Sequence, residues 1–137
     1  YAGPHGELTA LTQYFYQFFI INNQYSNFAK ELECISIVEM KHMKMLGEII
    51  VLLGGNPLFR TIAPRRNIYW CGNNISPTQD IKNFLIQNIA GENLAIENYR
   101  KHIAMINDVK IKAILNRIIK DEENHISIFN KYLKEFS

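Results

Sequence analysis

Six residues could do chemistry together: Glu7, Glu39, His42, Glu92, Glu122 and His125. Glu39 with His42 and Glu122 with His125 are E-x-x-H pairs. At positions i and i+3 of a helix, both side chains project from one face, so each pair can offer an oxygen and a nitrogen to one metal ion. With 10 Glu and 4 His in the chain, composition alone supplies on the order of 0.3 such matches. Each pair also sits in a longer shared pattern, L-x-x-I-x-x-x-E-x-x-H, built by Leu32, Ile35, Glu39 and His42 and again by Leu115, Ile118, Glu122 and His125. A second pattern, G-E-x-x-A-[L/I]-x-x-Y, runs through Gly6, Glu7, Ala10, Leu11 and Tyr14 and returns at Gly91, Glu92, Ala95, Ile96 and Tyr99. The two offsets are 85 and 83 residues, so the chain repeats itself with a small change in hairpin loop length.

Two E-x-x-H pairs on facing helices, with one further glutamate from each of two other helices, make a binuclear site of the kind built in di-iron and di-manganese bundles. Carboxylate and imidazole suit iron or manganese, and the absence of cysteine ligands argues against copper(I) or iron–sulfur chemistry. Leu32, Ile35, Leu46 and Leu53 share the Glu39 face, and Leu115, Ile118, Phe129 and Phe136 share that of Glu122. The glutamates therefore point into the core, where unpaired carboxylates are costly without a cation.

The elements that must position these residues are four helices. Apolar residues at helical spacing predict helices at about 5–24 and 28–53, with Asn22, Asn23, Ser26 and Asn27 as a hairpin turn and Gly54-Gly55-Asn56-Pro57 as a stop. Ser76-Pro77 reads as an N-cap followed by a first-turn proline, starting a helix at about 77–106. Asn107-Asp108 breaks the pattern, and a fourth helix spans about 109–136. Residues 54–76, which hold Pro57, Pro64, Gly54, Gly55 and Gly72, read as a long crossover. The expected fold is all-α: two antiparallel helical hairpins joined by one long connection, in a single domain over 1–137.

Composition limits the partners. The chain has 137 residues, 47% of them hydrophobic, enough for one core. Its net charge of +2 is the difference between 15 basic and 13 acidic residues, clustered only at Arg60, Arg65 and Arg66, which argues against nucleic acid. No apolar run reaches the roughly 20 residues of a membrane span, and no signal segment opens the sequence, so a cytoplasmic location is expected. Cys34 and Cys71 form no CxxC pair; Cys34 is expected in the core. The start at Tyr1 and the end inside a helical pattern read as a trimmed fragment.

The sequence resembles the ferritin-like family, which includes bacterioferritins, rubrerythrins and manganese catalases. Glu39-Met40-Lys41-His42 resembles the second-helix motif of bacterioferritin, and Asp121-Glu122-Glu123-Asn124-His125-Ile126 its fourth-helix D-E-E-x-H-I. The resemblance covers nearly the whole chain. It implies that Glu39 and Glu122 bridge two metals, that His42 and His125 cap one metal each, and that Glu7 and Glu92 are terminal carboxylates. It also implies two iron ions, with two manganese ions as the alternative, in an oxidoreductase acting on O2 or H2O2 as a ferroxidase, a rubrerythrin-like peroxidase or a catalase. Non-catalytic iron binding or storage is the alternative from another class. Without a CxxC domain, electrons would come from an external donor protein.

Tyr14 and Tyr99 each follow a ligand glutamate by seven residues and could bond to ligand carboxylates, though packing is the simpler role. Met40 matches the position where bacterioferritin ligates haem between subunits; haem is not expected here, because methionine at helical spacing usually packs. Glu97 is expected to pair with Lys101, and His5 and His102 to lie on the surface. Tyr69 and Trp70 are expected to anchor the crossover to the bundle or to a second subunit, in keeping with a homodimer or larger homo-oligomer.

Overall fold

Helix α1 (Glu7–Ile21) begins where the Gly-Pro-rich residues 3–6 end, with Gly6 as an extended N-cap. Glu7 in its first turn faces the positive end of the helix dipole. The chain, described here in a computed structural model covering residues 1–63 and 66–136, with the side chains at 62–67 outside the description, falls into two compact units, Tyr1–Pro77 and Thr78–Ser137.

In the first unit, α1 ends with the Asn22 amide donating to Phe18 O, and the Gln24 and Tyr25 amides both return to Ile21 O. Four residues suffice to reverse the chain, so Ser26 and Asn27, expected in the turn, open α2 (Ser26–Leu52) instead. Leu8, Tyr14 and Ile21 of α1 pack in the same core as Phe28, Ala29, Leu32 and Ile35 of α2. Burying each large side chain contributes about 1.5–3 kcal/mol. The Ser36 hydroxyl donates to Leu11 O at 3.1 Å and ties the two helices together. Past α2, Gly54 takes the left-handed conformation (φ 78°), and the Gly55 amide donates to Ile50 O at 2.8 Å, closing the helix end. Two expectations fail here. Leu53 lies beyond the last helical turn and is 72% exposed, and Cys34 is exposed because it follows Leu32 by only two positions and so leaves the buried stripe.

The crossover is more ordered than a plain loop. Strands β1 (Arg60–Ala63) and β2 (Arg66–Tyr69) pair antiparallel with Arg60 opposite Tyr69 and Thr61 opposite Ile68. A single 3-10 turn follows at Gly72–Asn74. The Arg60 and Arg66 backbones belong to this hairpin, while Arg65 and Pro64 fall outside the described residues. Side chains pin the connection along α1. Gln13 donates from Nε2 to Ser76 O (3.1 Å) and accepts from Ser76 N (2.7 Å); Tyr16 donates to Pro77 O (3.1 Å); Trp70 Nε1 donates to Thr9 Oγ1 (2.9 Å). Trp70 thus anchors the crossover as expected, whereas Tyr69 is 60% exposed.

In the second unit, α3 (Ile81–Met105) starts later than the Ser76-Pro77 signal suggests. Gln13 takes both backbone groups of Ser76, and Asp80 caps the helix by accepting from Asn83 N at 2.7 Å. Asp108 caps α4 (Val109–Glu135) by accepting from the amides of Lys110 (2.8 Å) and Ile111 (2.9 Å). Phe84, Leu85, Ile96 and Tyr99 of α3 and Leu115, Ile118, Ile119, Phe129 and Tyr132 of α4 are buried. Among the described residues no helix is long and apolar enough to cross a membrane.

Candidate metal centre

Each helical hairpin gathers one Glu–Glu–His triad. In the first unit, α1 brings Glu7 and α2 brings Glu39 and His42. His42 Nδ1 lies 3.2 Å from Glu39 Oε2 and 3.7 Å from Glu7 Oε2. In the second unit, α3 brings Glu92 and α4 brings Glu122 and His125, with His125 Nδ1 at 2.8 Å from Glu122 Oε2 and 3.4 Å from Glu92 Oε1. Within each triad the three potential ligand atoms lie within 4.8 Å of one another. All six residues are buried, none more than 3% exposed.

The local cause is the same in both units. A one-turn step along α2 and α4 stacks carboxylate and imidazole on the core face, beside Leu32 and Ile35 or Leu115 and Ile118. The antiparallel partner helix then supplies its glutamate from across the hairpin. A carboxylate oxygen and an imidazole nitrogen bound at about 2.1 Å to one metal ion stand about 3.0–3.4 Å apart, whether the geometry is octahedral or tetrahedral. The observed separations of 2.8–3.7 Å cluster around that edge length. Charge fits as well. One imidazolium can offset one carboxylate of a triad and leaves the second buried negative charge to be answered, which a divalent cation does. The donor set, oxygen and nitrogen with no sulfur, suits iron or manganese.

The other residues singled out by sequence fall apart from these triads or beside them. Tyr14 and Tyr99 are buried, 3% and 7% exposed. Glu97 is no part of a triad: its Oε1 lies 2.6 Å from Lys101 Nζ, and that ammonium holds the Glu97 carboxyl below its ordinary value. His5 and His102 are exposed, and Met40, between Glu39 and the exposed Lys41, is 48% exposed. Sequence reasoning passed over three buried polar side chains, Gln17, Ser36 and Asn88. The signal for Asn88 was available, since it precedes Glu92 by four positions and shares its face. Gln17 follows Tyr14 by three positions on the buried side of α1 in the same way.

Known proteins carry the same architecture. The chain is 28% identical over 152 residues to a Clostridium acetobutylicum protein named Probable manganese catalase, an alignment that covers 97% of this chain and 66% of the relative, just under two thirds of its length. It is similar in structure to the bacterioferritin of Desulfovibrio desulfuricans, solved with its diiron site in different catalytic states: TM-score 0.80, 23% identity, 96% of this chain and 73% of that one. It is likewise similar to KatB, a manganese catalase from Anabaena, at TM-score 0.82 and 24% identity over 97% of this chain and 67% of that one. The family model for the ferritin-like domain matches residues 5–137, and the chain belongs to that family, with its four-helix bundle fold.

Proposed function

We propose that the two units act as one ferritin-like domain over residues 1–137, and that the two triads together form one dinuclear metal centre that reacts with O2 or H2O2. The observation that carries this reading is the duplicated, buried Glu–Glu–His triad, with the imidazole Nδ1 turned toward both carboxylates in each copy. The four glutamates carry the charge that two divalent ions balance. In this reading Glu39 and Glu122 would bridge the two ions, His42 and His125 would hold one ion each, and Glu7 and Glu92 would be terminal ligands. Burial of all six would keep bulk water from bound ions and strengthen their hold on the carboxylates.

Iron is the proposed working metal. A pair of ferrous ions would supply the two electrons that, with two protons, convert H2O2 to two waters, and in this reading an external donor protein would return those electrons. Neither Cys34 nor Cys71 belongs to a CxxC pair that could hold a relay cluster in this chain. The kinship with the Clostridium protein favours a second reading, in which two manganese ions disproportionate H2O2 and no outside reductant is needed.

The test is an anaerobic Fe(II) titration of metal-free protein, followed by separate mixing with O2 and with H2O2 while absorbance and oxidant loss are recorded. Saturation at two irons per chain with rapid oxidation supports the iron reading, and the faster oxidant tells ferroxidase from peroxidase. Weak iron binding, with two Mn(II) bound and H2O2 lost without a reductant, selects the manganese reading. Binding of neither metal would refute the centre.

A further inference from the structure

We infer that the two metal positions are unequal, and that a strap made by the crossover and the residues before α1 sets the affinity of the position held by Glu7, Glu39 and His42. This rests on the two-metal reading above.

The two terminal glutamates occupy matching places in the sequence repeat but not in their helices. Glu92 lies eleven residues inside α3, with helical hydrogen bonding on both sides. Glu7 is the first residue of α1, so no preceding helical turn fixes its backbone. Its position is set by the strap instead. The Gly6 amide donates to Gly3 O at 3.0 Å, the Thr9 hydroxyl donates to the same oxygen at 2.9 Å, and the Trp70 indole N–H donates to Thr9 Oγ1 at 2.9 Å. Thr9 therefore uses its one proton toward Gly3 and a lone pair toward Trp70, which joins the crossover to the N-terminal turn through one side chain.

The strap is seated tightly. Ala2 is 2% exposed, and a Cβ placed on Gly6 would come within 2.7 Å of the Tyr1 carbonyl carbon and oxygen. At Gly91, the matching glycine in the repeat, a Cβ would meet nothing within 4 Å. Both histidine–carboxylate separations are also wider in the first triad, 3.2 and 3.7 Å against 2.8 and 3.4 Å. A ligand held by a few tertiary hydrogen bonds loses its placement when one of them goes, whereas a ligand in mid-helix does not. Thr9 and Trp70 are thus positioning residues for Glu7.

The experiment is calorimetric titration of metal-free protein with Mn(II), and with Fe(II) anaerobically, comparing wild type with Trp70→Phe, Thr9→Val, Thr9→Ser and Glu7→Gln. Wild type is expected to bind one ion tightly and one more weakly. Trp70→Phe and Thr9→Val should weaken only the second event, by about two- to tenfold, the usual worth of one hydrogen bond. Thr9→Ser, which keeps the hydroxyl, should restore it, and Glu7→Gln should abolish it. Two ions of equal affinity in wild type would overturn the inference alone. So would a Trp70→Phe isotherm that is unchanged, or one in which both events weaken alike. Fewer than two ions on wild type would instead remove the two-metal reading, and this inference with it.

Discussion

Replacing Glu122 by Gln should stabilise the metal-free protein and remove most of the stabilisation that metal brings. Glu122 is 0% exposed, its Oε2 lies 2.8 Å from His125 Nδ1, and Glu92 brings a ligand atom within 4.8 Å of both. Two carboxylate charges that close repel by about 3.5 kcal/mol at an effective dielectric constant of 20. A proton on His125 would offset part of this, so an uncharged side chain of the same shape should relieve about 1–2 kcal/mol. At about 2.1 cal/mol/K of unfolding entropy per residue, a domain of 137 residues gains roughly 3–7 °C in melting temperature. Metal acts in the opposite direction. Two ions at a hundred times their dissociation constants stabilise wild type by about 5.4 kcal/mol, or roughly 19 °C. The variant should lose at least the half that belongs to its own triad. The order of stability then inverts: the variant melts higher after chelation and lower in saturating Mn(II), which scanning calorimetry of the four samples reads directly. A chelated variant that melts below wild type would show that the carboxylate charge is already answered by protein groups. A full metal-induced rise in the variant would show that Glu122 is no ligand.

Four further outcomes follow from other parts of the chain. Gly91→Ala should raise stability by about 0.5–1 kcal/mol, because Gly91 is exposed in mid-helix with open space around it, while Gly6→Ala should lower stability by forcing the Tyr1 carbonyl away; paired denaturant titrations check both. Asp108→Ala removes the acceptor for two first-turn amides of α4 and should cost about 1 kcal/mol, measured in the same way. The Glu97 carboxyl is held below its ordinary value by its hydrogen bond to Lys101 and that ammonium's charge. A depressed folded-state value means that the pair's contribution is present above the ordinary glutamate pKa and fades as pH falls through the lowered one. NMR titration should find the Glu97 midpoint low in wild type and returned toward normal in Lys101→Met; an equal midpoint in the two proteins would contradict the pairing.

Much of this was legible because helices advertise themselves by period and by buried charge. Glu39 with His42, and Glu122 with His125, could be placed on one face from spacing alone, since a step of three is nearly one turn. What failed were features set by distant residues. Ser76-Pro77 has the local chemistry of a helix start, yet Gln13, more than sixty residues away, holds Ser76 and defers the start to Asp80. In sequence the hairpin at Arg60–Ala63 and Arg66–Tyr69 looks like plain crossover, because Pro64 and the arginines break any run long enough to signal a strand. Trp70 could be marked as an anchor by its size, but its partner Thr9 could not, because a threonine on a helix announces nothing about an indole arriving from the crossover.

The two repeat offsets, 85 and 83 residues, differ by two. Assigning this difference to a longer hairpin loop is half right: the first hairpin turns through residues 22–25 and the second through 106–108, a difference of one. The other residue lies in the helix, because Glu7 stands fourteen positions before the end of α1 and Glu92 thirteen before the end of α3. The second helix of each hairpin shows no such drift, since Glu39 and Glu122 each stand thirteen positions after their helix starts. The E-x-x-H pairs are therefore placed alike in both hairpins, and the variation between copies is concentrated at the terminal glutamates. One of these is carried in mid-helix and the other on a helix's first residue. Under the two-metal reading, a repeat that keeps its residue types while changing the backbone support of one glutamate would keep the chemistry and alter the affinity, so the copy with Glu7 on a helix's first residue is expected to hold its ion more weakly than the copy with Glu92 in mid-helix.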